Sequence, residues 1–261
     1  MGMDSLALFL AFGVSLVSGY LGIGGGILMA PALLYLPPLA GLATLSMREV
    51  TGLTVTQGLL ACLSGAWRHA RYGSVDRRLV GWVGASLVTS AFAGSLLSLH
   101  VPERALEGTL AGLALLAAVL AARPAPDGED APVAGEFRVR RARSLFLGAS
   151  IGFACGMLGQ GGSFLLVPSM IAILGVPTRI AMGSNLALVF LSSLAGFIGK
   201  CATGQVPLAP AIAVAIGAVP GAQLGSLLSH RTRPRRLRLV LAFLVGGIAV
   251  LLGARALYPR R

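Results

Sequence analysis

The sequence is poor in charge, and above all in acids. Only 11% of its 261 residues are charged, and nine acids stand against 21 basic residues. Soluble domains carry about 25% charged residues. The 43 positions between Asp4 and Arg48 are uncharged, and further uncharged runs follow at 50–67, 79–99, 144–178, 180–199, 201–229 and 239–254. Because about 20 apolar residues cross a bilayer, these runs predict an all-α multi-pass membrane protein, not a soluble enzyme or a nucleic-acid-binding protein.

The apolar runs also lack titratable groups. All nine acids and all three histidines lie in connections or at segment ends. A catalytic triad, a metal centre or an intramembrane proton relay would need such groups within the spans. The three cysteines have no CxxC spacing and indicate neither a disulfide framework nor a thiolate metal site. We therefore expect no enzymatic activity, no metal and no cofactor, and an intramembrane hydrolase is a weak alternative.

The chain contains an internal duplication. Its two glycine clusters, Gly22-Ile-Gly-Gly-Gly26 (the first glycine motif) and Gly159-Gln-Gly-Gly-Ser163 (the second glycine motif), lie 137 positions apart and share flanking leucines and a proline. Farther on, the run Gly94-Ser-Leu-Leu-Ser98 recurs at 225–229, an offset of 131. We predict repeats over 1–122 and 144–261, joined by a Pro-, Gly- and charge-rich polar linker at 123–143.

The basic residues bear on topology through the positive-inside rule. If each glycine-broken run is one crossing, basic residues divide 13 to 8 between the two sides; if each is two elements, they divide 15 to 6. The second division is the more asymmetric. It predicts five elements per repeat, a glycine-broken hairpin plus three spanning helices, and therefore inverted repeats, an arrangement typical of secondary transporters. A parallel arrangement is the alternative.

The glycine motifs are the first candidate site. Glycines at membrane depth permit a non-helical turn, and the following half-helix directs unpaired N–H groups and its positive dipole end into the membrane interior. This pattern predicts an anion site built from backbone N–H groups at 22–27 and 159–164. The alternative is that small residues only let helices pack closely. Interrupted segments at corresponding repeat positions favour the site, whose members are Gly22, Gly24, Gly25, Gly26, Gly159, Gln160, Gly161, Gly162 and Ser163.

Polar residues within the spans are the second candidate. Thr54, Gln57, Ser184 and Asn185 could donate hydrogen bonds to a dehydrated oxyanion, and Thr54 and Asn185 are equivalent at the offset of 131. For the threonines and Ser184, bonding to their own or a neighbouring helix is an open alternative. Lys200, Arg48 and Arg179, at segment ends, are interpreted as anchors that snorkel to the membrane surface, with attraction of anions to an entrance as the alternative.

The two motifs resemble those of the sulfite exporter TauE/SafE family, also called the 4-toluene sulfonate uptake permease family. The similarity extends over essentially the whole chain, although Ser163 replaces the last glycine and the first repeat has six extra residues around Pro37-Pro38. It implies a multi-pass permease of a bacterial or archaeal inner membrane that moves sulfite, thiosulfate or organosulfonates. We expect export or facilitated diffusion, with the lipid bilayer as surroundings. A non-transporting membrane scaffold or assembly factor is the alternative.

Overall fold

The fold is described from a computed structural model, which covers residues 2–21, 24–70, 76–122, 140–176, 178–229 and 246–247. The described part is helical and contains no strand. Nine helices are defined within it: α1 (Met3–Leu21), α2 (Gly26–Leu39), α3 (Met47–Ala70), α4 (Arg77–Leu97), α5 (Glu103–Ala122), α6 (Arg141–Leu158), α7 (Ser163–Leu174), α8 (Thr178–Ala202) and α9 (Leu208–Ser229). The all-α prediction is confirmed.

Within the described ranges, four stretches are long and apolar enough to cross a bilayer: Met3–Leu21, Arg77–Leu97, Gly183–Ala202 and Leu208–Leu228. The helices after the glycine motifs, α2 and α7, are also apolar but have only 14 and 12 residues. At 1.5 Å per residue they reach about 21 and 18 Å, which is less than the roughly 30 Å hydrocarbon core. The long uncharged runs are therefore each divided into two elements at the glycines, as the sequence predicts.

The helix boundaries repeat with the offsets seen in the sequence. The ends of α1 and α6 differ by 137 positions, as do the starts of α2 and α7. The starts of α3 and α8 differ by 131 positions, as do those of α4 and α9. Helix α6 begins at Arg141, three residues inside the predicted linker. Residues 123–139 of the linker and most of the expected tenth segment, 239–254, lie outside the described residues.

The first helix of each repeat packs on the fourth helix of the other repeat, so α1 contacts α9 and α6 contacts α4. Glycines bring the backbones together at both contacts, as is common between membrane helices. Gly19 lies against the backbone of Ala222, and its equivalent Gly156 lies against the backbone of Ala91, the equivalent of Ala222. The contact of α1 with α9 is therefore equivalent to the contact of α6 with α4, with the two repeats exchanged.

Equivalent helices α3 and α8 also contact each other. A Cβ on Gly58 would lie 3.4 Å from Ser193 Oγ, and a Cβ on Gly196 would lie 3.3 Å from Val55. Residue numbers rise along α3 while those of their partners fall along α8, so the two helices are antiparallel. Antiparallel equivalent helices support the inverted arrangement. Its orientation relative to a membrane stays a prediction.

Candidate anion-binding site at the glycine motifs

Both glycine motifs adopt the same left-handed turn. Gly24 and Gly25 have φ of 68° and 75°, and their equivalents Gly161 and Gly162 have φ of 62° and 80°. L-residues with a Cβ rarely adopt these angles, which explains the use of glycine. Gly25 and Gly162 are the N-cap residues of α2 and α7, and neither helix receives a side-chain hydrogen bond at its cap. The first N–H groups of both half-helices therefore lie at these turns, without a side-chain acceptor at the cap.

The two motifs meet inside the protein. A Cβ on Gly26 would lie 3.0 Å from Gln160 Cα, and a Cβ on Gly24 would lie 3.1 Å from Ser163 Oγ. Gly159, with φ of 64°, ends α6 and packs directly on the carbonyl oxygen of Thr51 in α3. Two positive helix ends are thus brought to one buried region, an arrangement that attracts negative charge.

Buried polar side chains surround this meeting point. Gln160 is 1% exposed, and Ser163 and Ser193 are fully buried. The amide nitrogen and oxygen of Gln160 and the hydroxyls of Ser163 and Ser193 have no hydrogen-bond partner among the described residues. Ser193, on α8, packs directly on Gly161. Because an unpaired buried polar group costs about 1–3 kcal/mol, this group of side chains is suited to a ligand that accepts hydrogen bonds.

The first repeat contributes Gln57 to the same region. A Cβ on Gly25 would lie 2.5 Å from Gln57 Nε2, and this nitrogen donates a hydrogen bond to Ser15 Oγ at 2.8 Å. Gln57 Oε1 has no partner in the described part of the chain. Gln57 therefore lies at the first glycine motif, and its part in binding an anion stays a prediction.

The other predicted polar residues are engaged elsewhere. Thr54 Oγ1 donates to the carbonyl of Val50, one turn back in its own helix, at 2.6 Å. Ser184 Oγ accepts a hydrogen bond from the N–H of Asp76, just before α4, at 3.1 Å. Both geometries correspond to the helix-bonding alternative. Asn185 is fully buried on α8. Gly22 lies outside the described residues.

Sequence reasoning missed Ser193 and Ser15, because single serines in apolar helices give no distinctive signal. It also misplaced Lys200, which is fully buried instead of snorkelling to the surface. Its ammonium hydrogen-bonds to four protein oxygens. The four oxygens come from segments that are distant in sequence, so their convergence on the ammonium is not visible in a linear pattern.

In the described residues, apolar helices and paired, glycine-broken half-helices around buried polar groups form an arrangement typical of multi-pass membrane transporters. The chain belongs to the sulfite exporter TauE/SafE family, whose model matches residues 7–252. Among curated proteins, it is 22% identical to the probable membrane transporter protein YunE of Bacillus subtilis (strain 168), over 93% of each chain. A probable membrane transporter protein of Xylella fastidiosa (strain 9a5c) is 28% identical, over 84% of this chain and 82% of the relative.

A third relative, a probable membrane transporter protein of Methanocaldococcus jannaschii, is 24% identical over 92% of each chain. No solved structure matches the chain significantly. The names of these relatives state membrane transport and no substrate. Because the family is one of transporters, transport is favoured over a scaffold, although residues 24–26 and 159–163 of the glycine motifs are buried.

Proposed function

We propose that this transporter moves small sulfur-containing oxyanions, such as sulfite, thiosulfate or an organosulfonate, through the site where its two glycine motifs meet. The observation that carries the proposal is the group of buried polar side chains there that have no hydrogen-bond partner in the described part of the chain: Gln160, Ser163 and Ser193. Hydroxyl and amide donors together with helix N-termini suit an oxyanion, since each supplies hydrogen to a negatively charged oxygen. The family description adds the sulfur chemistry.

The same donors favour an anion over a cation. Among the residues that the structure describes, the side chains that surround the meeting point are neutral, and none of them is a carboxylate. The positive ends of α2 and α7 would repel a cation and attract an anion. Gln160 and Gln57 also present amide oxygens, which can accept the proton of a hydrogen-bonding ligand such as hydrogen sulfite.

Membrane voltage supports export or facilitated diffusion. An inside-negative potential expels anions with about 2.3 kcal/mol per charge per 100 mV. A dianion therefore gains roughly 4.6 kcal/mol on leaving the cell, equivalent to more than about a thousandfold concentration ratio. Export needs no coupling ion under these conditions, whereas uptake would have to oppose the gradient.

The test is flux through proteoliposomes that contain the purified full chain. Vesicles loaded with sulfite, thiosulfate, sulfate or an organosulfonate are clamped with K⁺ and valinomycin, and efflux is followed for each anion. We expect a sulfur anion to leave faster when the interior is negative, and protein-free vesicles give the background. No flux of any of the four anions would contradict the proposed function. Voltage-independent efflux with a strict need for a proton gradient would contradict the direction while leaving anion transport intact.

A further inference from the structure

Lys200 is the only lysine in the chain, and it lies buried between the two repeats. Its partners come from α3, from the end of α4, from the last turn of α6 and from the turn between α8 and α9. Lys200 Nζ donates to Thr51 Oγ1 (2.8 Å), Ser98 Oγ (2.8 Å), Gln205 Oε1 (2.9 Å) and the Met157 carbonyl oxygen (3.0 Å). Four acceptors compete for three N–H groups, so one acceptor is in excess.

All four partners are neutral, so the hydrogen bonds satisfy the ammonium without cancelling its charge. A second cation lies nearby, because Thr51 Oγ1, which accepts a hydrogen bond from Lys200 Nζ, donates to the carbonyl oxygen of Arg48 at 2.8 Å. Arg48 Nε is itself buried and has no hydrogen-bond partner among the described residues. Two neighbouring cations repel each other strongly where they are poorly solvated. An anion between or beside them offsets this repulsion.

The two acids whose carboxylates lie at the start of α3, Glu49 and Glu103, already have other hydrogen-bond donors. Glu49 Oε2 accepts hydrogen bonds from the N–H and hydroxyl of Ser46, at 2.8 and 2.9 Å. Glu103 Oε2 accepts from the N–H of Met47, at 3.4 Å. At the N-terminus of α3, these carboxylates interact favourably with the positive end of the helix dipole. The buried ammonium of Lys200 is left with neutral oxygens.

The location links this cation pair to the second glycine motif. Met157, whose carbonyl accepts from Lys200, stands two residues before Gly159. Thr51, whose hydroxyl accepts from Lys200, packs its carbonyl oxygen on Gly159. In the five-element topology, Arg48 and Lys200 also share the side of the membrane that has only 6 of the 21 basic residues.

We propose that Lys200 and Arg48 form a second anion-binding site, next to the second glycine motif, for the oxyanion that the transporter carries. Its role in transport rests on the proposed function. The anion replaces one neutral acceptor on Lys200 Nζ and receives the unpaired N–H of Arg48. The hydroxyls of Thr51 and Ser98 already donate to the carbonyl oxygens of Arg48 (2.8 Å) and Ser95 (2.6 Å), so the hydrogen bonds to the anion come from Lys200 and Arg48.

Binding is measured first, on the full chain in detergent, so that it does not depend on transport. Thermal unfolding is followed while sulfite is titrated at constant ionic strength, with chloride as the balancing anion. We expect sulfite to raise the unfolding temperature of the wild type, K200M to weaken the apparent affinity at least tenfold, and R48Q to weaken it several-fold. K200R keeps the positive charge in a different shape and should bind sulfite more tightly than K200M.

The matched control is R104Q, which removes an exposed positive charge on α5 and should bind sulfite like the wild type. If K200M does not fold, R48Q and K200R decide the result. The site is overturned if sulfite fails to stabilise the wild type, or if K200M and R48Q are stabilised as strongly as R104Q.

Flux in proteoliposomes separates this site from the proposed function. We expect R48Q to raise the half-saturating sulfite concentration several-fold while the maximal rate stays within twofold, which a merely structural role would not produce. Sulfite binding that requires Lys200, without any sulfite flux in the wild type, would contradict the proposed substrate and leave the binding site standing. Sulfite flux that is unchanged in both K200M and R48Q would contradict the site and leave the proposed function standing.

Discussion

The two glycine motifs share a backbone and differ in their side chains. Gly24 and Gly161 have nearly equal φ, and so do Gly25 and Gly162. Around this common turn, the second motif has Gln160 and Ser163, where the first has Ile23 and Gly26. The difference extends to the neighbouring helix, because Gly24 is near the Cys62 thiol and Gly161 is near the equivalent Ser193 hydroxyl.

This difference suggests a division of roles between the repeats. The turn is repeated because both half-helices must begin at the same buried place, and only glycine permits that turn cheaply. The polar side chains are concentrated at the second motif, whereas the first motif has Gln57 where the second repeat has Leu188. We expect the shared backbone to determine whether anything is transported, and the unequal side chains to determine which anion is bound and how tightly.

The largest effect is expected from substitutions that disrupt the left-handed glycine turn, which both motifs share. Replacing either Gly24 or Gly161 by Val should abolish anion flux, because a β-branched residue resists positive φ at a cost of about 1–3 kcal/mol and obstructs the meeting point. Flux in proteoliposomes measures the loss, and the amount of folded protein in the membrane shows whether insertion survives. Gly112, in α5, has open space beyond its Cα, so Gly112→Val is the control and should be mild. Comparable flux in all three variants would refute a special role for the turns.

The next effect concerns the side chains that only the second motif has. Ser163→Ala and Ser193→Ala each remove a buried hydroxyl that has no hydrogen-bond partner among the residues described. Each should raise the half-saturating anion concentration about tenfold, since a hydrogen bond to a charged group contributes about 1.5–3 kcal/mol. Cys62→Ala is the matched control, because Cys62 is equivalent to Ser193 in the first repeat. Equal effects at Cys62 and Ser193 would show that the repeats contribute alike.

A smaller effect is expected when the first repeat is made to resemble the second. Gln57→Leu introduces the residue found at the equivalent position 188 and removes the hydrogen bond to Ser15. The half-saturating concentration should change a few-fold, with a shifted preference among sulfite, thiosulfate and sulfate, because the amide lies beside Gly25. An unchanged preference would place Gln57 among the purely structural residues.

The smallest effect is expected at Thr54, whose equivalent in the second repeat is Asn185. Thr54→Val retains the shape and loses only a hydroxyl that donates to its own helix, so flux should stay within about twofold of the wild type. Asn185→Leu removes a buried amide from an apolar helix and should be the more damaging of the two. A strong loss of flux in Thr54→Val would indicate that Thr54 does belong to the anion site.

The helical class and the position of the glycine turns could be predicted from the sequence. Long uncharged runs can satisfy their backbone in lipid only as helices, and clustered glycines interrupt a helix wherever they occur. The residues that contact across the repeats could not be predicted in this way. In the sequence, Ser193 cannot be told from other helical serines, and only the packing of α8 places it against Gly161. Ser184 is also a polar residue within an apolar span, but it accepts a hydrogen bond at the start of α4.

The sequence by itself determined that the chain is duplicated, since offsets of 137 and 131 need only residue identities, and the helix boundaries repeat with the same offsets. Only the tertiary structure decided that α1 packs on α9, that the two glycine motifs meet, and that Lys200 is buried among four neutral oxygens. The physical reason is that turns and helices follow from local backbone preference and hydropathy. Both of these depend on residues that are close together in the sequence. The partner of a buried polar group is chosen by whichever distant segment packs there, because each such group must find hydrogen bonds in a region without water.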